Sequence, residues 1–307
     1  YAPTDWLFGY AQLEYHANRF SEQKPVQLRK AYATIGNLDV MPVYFTAGRK
    51  TINFGKFDQY APFTHTVSNH FFHAESDGPV FELGYVGDKL NVSATAISAG
   101  RHTRTADTGG TQGIDNFALS GDATFDVRPG YALNVGASYL HGTIYNHTLP
   151  HHPGPELACP VRPGQQGVPV CRGRNGAWDV WAELNSTHVD LQAEYTQTVD
   201  PWPATGQRIS ALTLQGRYKT ELAGRKSHFS AAYSTSKIGP FSMGGPGAPV
   251  FDRLDSLTLG AEVWLSPRLT AAVEYSRNNG FAPLINVIQT SRDATSNQVA
   301  AGLQLTF

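Results

Sequence analysis

Three groups of residues in this chain have types and spacings that could do chemistry. Cys159 and Cys171 are the only cysteines and lie twelve residues apart in a Pro- and Gly-rich stretch. That spacing suits a local disulfide, which forms in an oxidising compartment. A zinc half-site shared with the nearby His151 and His152 is the rival reading, without the CxxC-like spacing of most zinc sites. Seven of the eleven histidines, His65, His70, His73, His141, His147, His151 and His152, fall in two long polar links or at a link margin. Such tracts bind metals, but no HxH or HExxH spacing occurs, so weak adventitious binding is expected and no resident metal. The third group is a run of aromatics in the link 50–77: Phe54, Phe57, Tyr60, Phe63, Phe71 and Phe72, with Lys56 and His65 among them. No nucleophile–His–acid set and no Gly-rich phosphate loop is present. The chain reads as a non-enzyme without a cofactor.

Composition bounds what could position these groups. The 307 residues carry 24 Lys plus Arg against 25 Asp plus Glu, a net charge of −1. There is no basic surplus for nucleic-acid phosphates, so nucleic acid is not an expected partner. Charged residues make up only 16%, below the roughly 25% usual for soluble domains. Mean hydropathy is −0.31, and no uninterrupted apolar run exceeds three residues. A transmembrane helix needs about twenty mostly apolar residues, and a retained signal segment about 7–15. Both are excluded. A soluble all-β domain or a membrane β-barrel, whose apolar residues are diluted by alternation, remains.

Alternation is what the chain shows. Val299, Ala301, Leu303, Leu305 and Phe307 fall on one parity, with Gln298, Gln304 and Thr306 on the other. Successive side chains of a strand point to opposite faces, so this is a strand with one apolar and one polar side. The pattern recurs as Leu257–Leu265, Leu269–Tyr275, Leu212–Tyr218, Val189–Tyr195, Tyr131–Tyr139 and Leu7–Tyr15, among others. With 26–36, whose faces are hard to tell apart, it gives fourteen strands. The links also alternate in length. Those at 37–41, 87–89, 126–130, 185–187, 220–226 and 266–268 are short. Those at 50–77, 98–114, 141–175, 237–254 and 278–295 are long. Outer-membrane barrels combine short periplasmic turns, long external loops and an even strand number. The expected fold is an all-β, antiparallel up-and-down transmembrane barrel of about fourteen strands. It is a single domain over 1–307 in the bacterial outer membrane, facing lipid and lipopolysaccharide, with both termini periplasmic. Tyr131, Tyr139, Tyr195, Tyr218, Phe125 and Phe307 read as interfacial girdles. With strand one so near the start, no room is expected for a plug.

The polar parity then lines the lumen. It carries Glu14, Glu82, Asp122, Asp179, Glu183, Asp190, Glu194, Glu262 and Glu274 against Arg217, one of Arg29 and Lys30, and His228. A barrel of fourteen strands is wide enough to keep such acids wet. Acidic rings favour cations, which predicts a mild cation preference. The competing reading is that the acids pair with loop cations. The link 50–77 is the expected constriction, through Phe54, Lys56, Phe57, Tyr60, Phe63 and His65. The competing reading packs these aromatics among external loops.

Residues 31–57 carry Ala33, Thr34, Ile35, Gly36, Asn37, then Pro42 to Arg49, then Phe54, Gly55, Lys56 and Phe57. This stretch resembles the LbtU-type siderophore porins, plug-less outer-membrane barrels. The resemblance implies passage of a small solute, a ferric siderophore, by passive or loop-gated diffusion. A general nutrient porin without a preferred ligand, and a non-conducting surface or adhesion barrel, are the alternatives. The oligomeric state is not legible.

Overall fold

The computed structural model describes residues 4–15, 26–74, 78–98, 114–143, 145, 174–202, 205–242, 250–280 and 292–306. Fourteen strands form one antiparallel sheet in chain order. They are β1 (Leu7–Tyr15), β2 (Val26–Ile35), β3 (Val43–Arg49), β4 (Val80–Val86), β5 (Leu90–Ser98), β6 (Ile114–Arg128) and β7 (Tyr131–Leu140). The series continues with β8 (Ala177–Ser186), β9 (Val189–Thr198), β10 (Ser210–Leu222), β11 (Arg225–Lys237), β14 (Leu254–Ser266), β15 (Leu269–Gly280) and β16 (Thr295–Leu305). A two-stranded ribbon, β12 (Phe241–Ser242) with β13 (Val250–Phe251), sits in the connection between β11 and β14. Each strand pairs with its sequence neighbour, so the order is up-and-down throughout. β1 and β16 end the ladder, and no pairing joins them among the described residues.

All fourteen expected strands are present, several longer than the alternation reaches. β10 and β11 run to Leu222 and from Arg225, which shortens the expected turn 220–226 to two residues. Beyond Lys219, Thr220 and Glu221 are polar on both faces, so parity gives no signal there. The helix α1 (Val67–Phe72) within the link 50–77 was not expected. Its start is set by Thr66, whose side chain accepts from the Asn69 amide at 3.2 Å, the usual role of an N-cap threonine. Cys159, Cys171, His147, His151, His152 and Phe307 lie outside the described residues.

Burial is inverted relative to a soluble protein. Leu191, Leu214, Leu257, Leu259 and Val273 are exposed, whereas Glu82, Asp179, Asp190, Glu194 and Thr213 are buried. The apolar parity faces outward and the polar parity inward, as in a membrane barrel. Phe125 and Tyr218 stand on the outer face, each about half exposed. Residues 53–63 of the link between β3 and β4 touch inward side chains of β5, β7, β8, β9, β10 and β15. One connection reaches all of these only because the sheet curls around it.

Candidate functional site: the loop across the lumen

The link between β3 and β4 folds into the barrel and is fastened by groups from the wall. At its entry Lys50 Nζ donates to Glu82 Oε1 at 2.7 Å, and Tyr44 and Thr95 donate to the same carboxylate. Asn53 then donates to Ser93 Oγ at 2.7 Å and the Gly55 amide to Ser138 Oγ at 2.8 Å. Gly55 (φ 67°) and Phe57 (φ 47°) both adopt the left-handed region, which is costly for a non-glycine residue. The strained turn aims two successive amides the same way, making a small anion-binding concavity of the kind called a nest. Its occupant is the Glu194 carboxylate of β9, whose Oε1 accepts from the Lys56 and Phe57 amides at 2.8 and 2.9 Å. Further along, the Phe63 and Thr64 amides both donate to Glu274 Oε2 of β15, at 2.8 and 3.0 Å.

Side chains complete the attachment. Lys56 Nζ donates to Glu183 Oε2 of β8 at 2.5 Å and lies 4.3 Å above the ring of Trp181. Gly136 of β7 makes room for that ring: a Cβ there would collide with it. Tyr60 donates its phenol to Glu183 Oε1 at 2.7 Å and its amide to Gln215 Oε1 at 3.0 Å. Burial first, and then the bond to Glu183, raise the Tyr60 phenol well above its ordinary value, so it remains a donor. Ser68 of α1 meets Thr213 of β10 at 2.8 Å.

The expected constriction residues therefore separate into three roles. Phe54 and Phe57 are buried in an apolar cluster with Ile52, Val67, Phe71 and Phe72. Lys56 and Tyr60 are fastened to the wall. Phe63 is exposed along part of its surface and faces Gly302 of β16, while His65 lines a niche beside Tyr60. The cluster extends to Tyr145, whose hydroxyl donates to the Phe71 carbonyl at 2.6 Å and whose ring packs against Phe72 and Trp202. Full burial raises the Tyr145 phenol well above its usual range.

The expected acidic wall is present but largely engaged. Glu82, Glu183, Glu194 and Glu274 hold the loop. Asp190 accepts from Arg217 at 2.6 and 3.0 Å and from Lys219 at 2.6 Å. Asp179 accepts from Thr196, Asp122 from Asn91, and Glu14 lies 3.6 Å from Arg29. Glu262 makes no hydrogen bond or ion pair among the described residues. Lys219, Trp181 and Trp264 were missed in the sequence, although each stands on the polar parity of its strand and strict parity sorting would have placed it inward. Asp58 gave no such signal, since its place comes from the loop's path, whereas Ser138, like Gln215, stands on the polar parity already read for its strand. No cluster of three or more metal-ligating side chains occurs among the described residues.

No family model matches the chain, and no curated protein does either. The fold and the inward loop define the class: the architecture is that of outer-membrane porin barrels. The channel DcaP of Acinetobacter baumannii superposes with a TM-score of 0.55 at 13% identity, over 98% of this chain and 80% of that one. OmpF of Salmonella typhi gives 0.56 at 15%, over 98% and 86%. OprB of Pseudomonas putida gives 0.56 at 12%, over 92% and 74%.

Proposed function

We propose that this protein is a bacterial outer-membrane diffusion channel for small solutes, with the connection 50–79 as its constriction. The observation that carries this reading is the docking of Lys56, Phe57, Phe63 and Thr64 amides on Glu194 and Glu274, which suspends the loop across the lumen. Packing among external loops would leave those wall carboxylates without these partners. The likeness to porins at low identity supports the barrel and leaves the solute open.

Selectivity is weaker than a census of wall acids implies. Six of the nine acids are matched by Lys50, Lys56, Arg217, Lys219, Arg29 or backbone amides, which leaves Asp122, Asp179 and Glu262 without a cation or amide among the described residues to favour cations. For the solute, the resemblance of residues 31–57 favours a ferric siderophore, and no lumen feature adds to that support. The purified protein in planar bilayers tests the reading: discrete conductance steps are expected, and a protein that never conducts favours the closed-barrel alternative. Swelling of proteoliposomes in one solute, with a second as competitor, separates the preferring channel, which saturates, from the general porin, which does not.

A further inference from the structure

The far end of the inward loop rests on a floor of small residues. On the inner face of β14, β15 and β16, Gly260 and Ala300 lie directly across from Glu274, and Gly302 lies across from Ala272, two residues along β15. Longer inward side chains, Trp264 on β14 and Gln298 and Gln304 on β16, flank this floor. Glu274 is the carboxylate that takes the Phe63 and Thr64 amides. From this arrangement we infer that Gly260 and Gly302 are positioning residues for the channel. They are seats that set how far Pro62 and Phe63 stand out from the wall, and so the size of solute that passes. The inference rests on the channel reading above.

Space alone accounts for glycine at both positions. Neither has a positive φ, so the backbone there does not call for glycine. Inside a strand glycine is otherwise a cost, and it marks places where another part of the chain approaches closely. Here the loop is what approaches. A Cβ on Gly260 would come 2.6 Å from Cδ of Pro62, part of a rigid ring, and 2.5 Å from Ser230 Oγ, which can rotate away. A Cβ on Gly302 would lie 3.1 Å from both Cε1 and Cζ of Phe63, so any longer side chain must move the ring. The two glycines flank Glu274 on opposite sides, on β14 and β16. The loop is thus held at three points: one ring over each glycine, and two amides on the carboxylate between them. Among the aromatics of the expected constriction, Phe54, Phe57 and Tyr60 are buried, whereas Phe63 is 40% exposed. Its distance from the wall therefore changes the open cross-section, and theirs does not.

The test is single-channel conductance, with the largest polyethylene glycol that enters, in wild type, Gly302→Leu and Gly260→Ala. Each glycine change is also made in a truncated background, Phe63→Ala for Gly302 and Pro62→Ala for Gly260. Barrel folding of every variant is checked by its heat-shifted gel mobility. In the otherwise wild-type protein both glycine changes push the loop into the lumen, so conductance falls and the polymer cutoff moves to smaller sizes. In the truncated backgrounds the same changes have no effect, because the added atoms fill the space the ring has left. If Gly302→Leu does not reach the folded form, Gly302→Ala is read in its place, with a smaller shift in the same direction. Wild-type conductance and cutoff in the folded glycine variants overturn the inference and leave the channel reading intact. An equal drop in the truncated backgrounds overturns it too, since the added side chain then narrows the lumen without the loop. So does a cutoff that rises. A wild-type protein that never conducts overturns the channel reading, and the role of the seats with it.

Discussion

From the long-loop end of β10 to its short-turn end, the inward side chains are Ala211, Thr213, Gln215, Arg217 and Lys219; on β5 they are Ile97, Thr95, Ser93 and Asn91. The outer collar is apolar, and Val80, Ala118, Leu140, Ala177, Ile209 and Leu254 continue it around the barrel. The middle of the wall is polar and charged. The same loop meets both regions by different means: Ile52, Phe71 and Phe72 bury into the collar, while Gly55 to Thr64 hang from wall oxygens. Burial is non-directional and scales with area, so the collar supplies adhesion. Hydrogen bonds are directional, so the mid-wall fixes where the stretch 53–64 crosses. The collar holds the loop in, and the acids set its height.

Changes to either region separate these roles. Phe71→Ala has the largest expected effect. Emptying a fully buried phenylalanine site costs about 3–5 kcal/mol, so thermal unfolding should move to lower temperature and protease should cut within 50–79. Glu194→Leu comes next. It strands two buried loop amides at about 1–3 kcal/mol each, and single-channel conductance should rise and become noisier while the strands remain folded by circular dichroism. Lys56→Met should have a smaller effect on loop position, because Tyr60 still donates to Glu183. It leaves that carboxylate without its cation, so reversal potentials in asymmetric KCl should shift toward cations. Lys89→Ala serves as the lower bound: its pair with Asp126 is exposed on both sides at 3.2 Å. Exposed pairs contribute about 0.2–1 kcal/mol, and neither melting nor conductance should change appreciably.

The contrast also explains what could be read in advance. Alternation reports which way a side chain points, so the strands and the inward placement of Asp179, Glu183, Asp190, Glu194 and Arg217 were legible. Parity is silent about what an inward group meets. Glu194 and Glu274 look alike in the sequence to Glu262, yet two of them receive backbone amides from a loop more than two hundred or more than one hundred residues away, and the third does not. The nest depends on the backbone of Gly55 and Phe57, and no spacing rule encodes it. Helix α1 is six residues long, too short for a 3.6-residue period to emerge, and only its Thr66 cap hints at it. The aromatics of 50–77 were visible as unsuited to a hydrated surface. Their division between Phe54 and Phe57 in the packed cluster and Tyr60 on the wall follows from the loop's path across the lumen.

The central claim is that the connection 50–79 narrows the lumen, and single-channel conductance tests it most directly. A variant in which residues 58–73 are replaced by a short Gly–Ser linker should retain its barrel and conduct several-fold more current than wild type. It should also admit larger polyethylene glycols. Conductance and size cutoff equal to wild type, in a variant shown to be folded, would contradict the account.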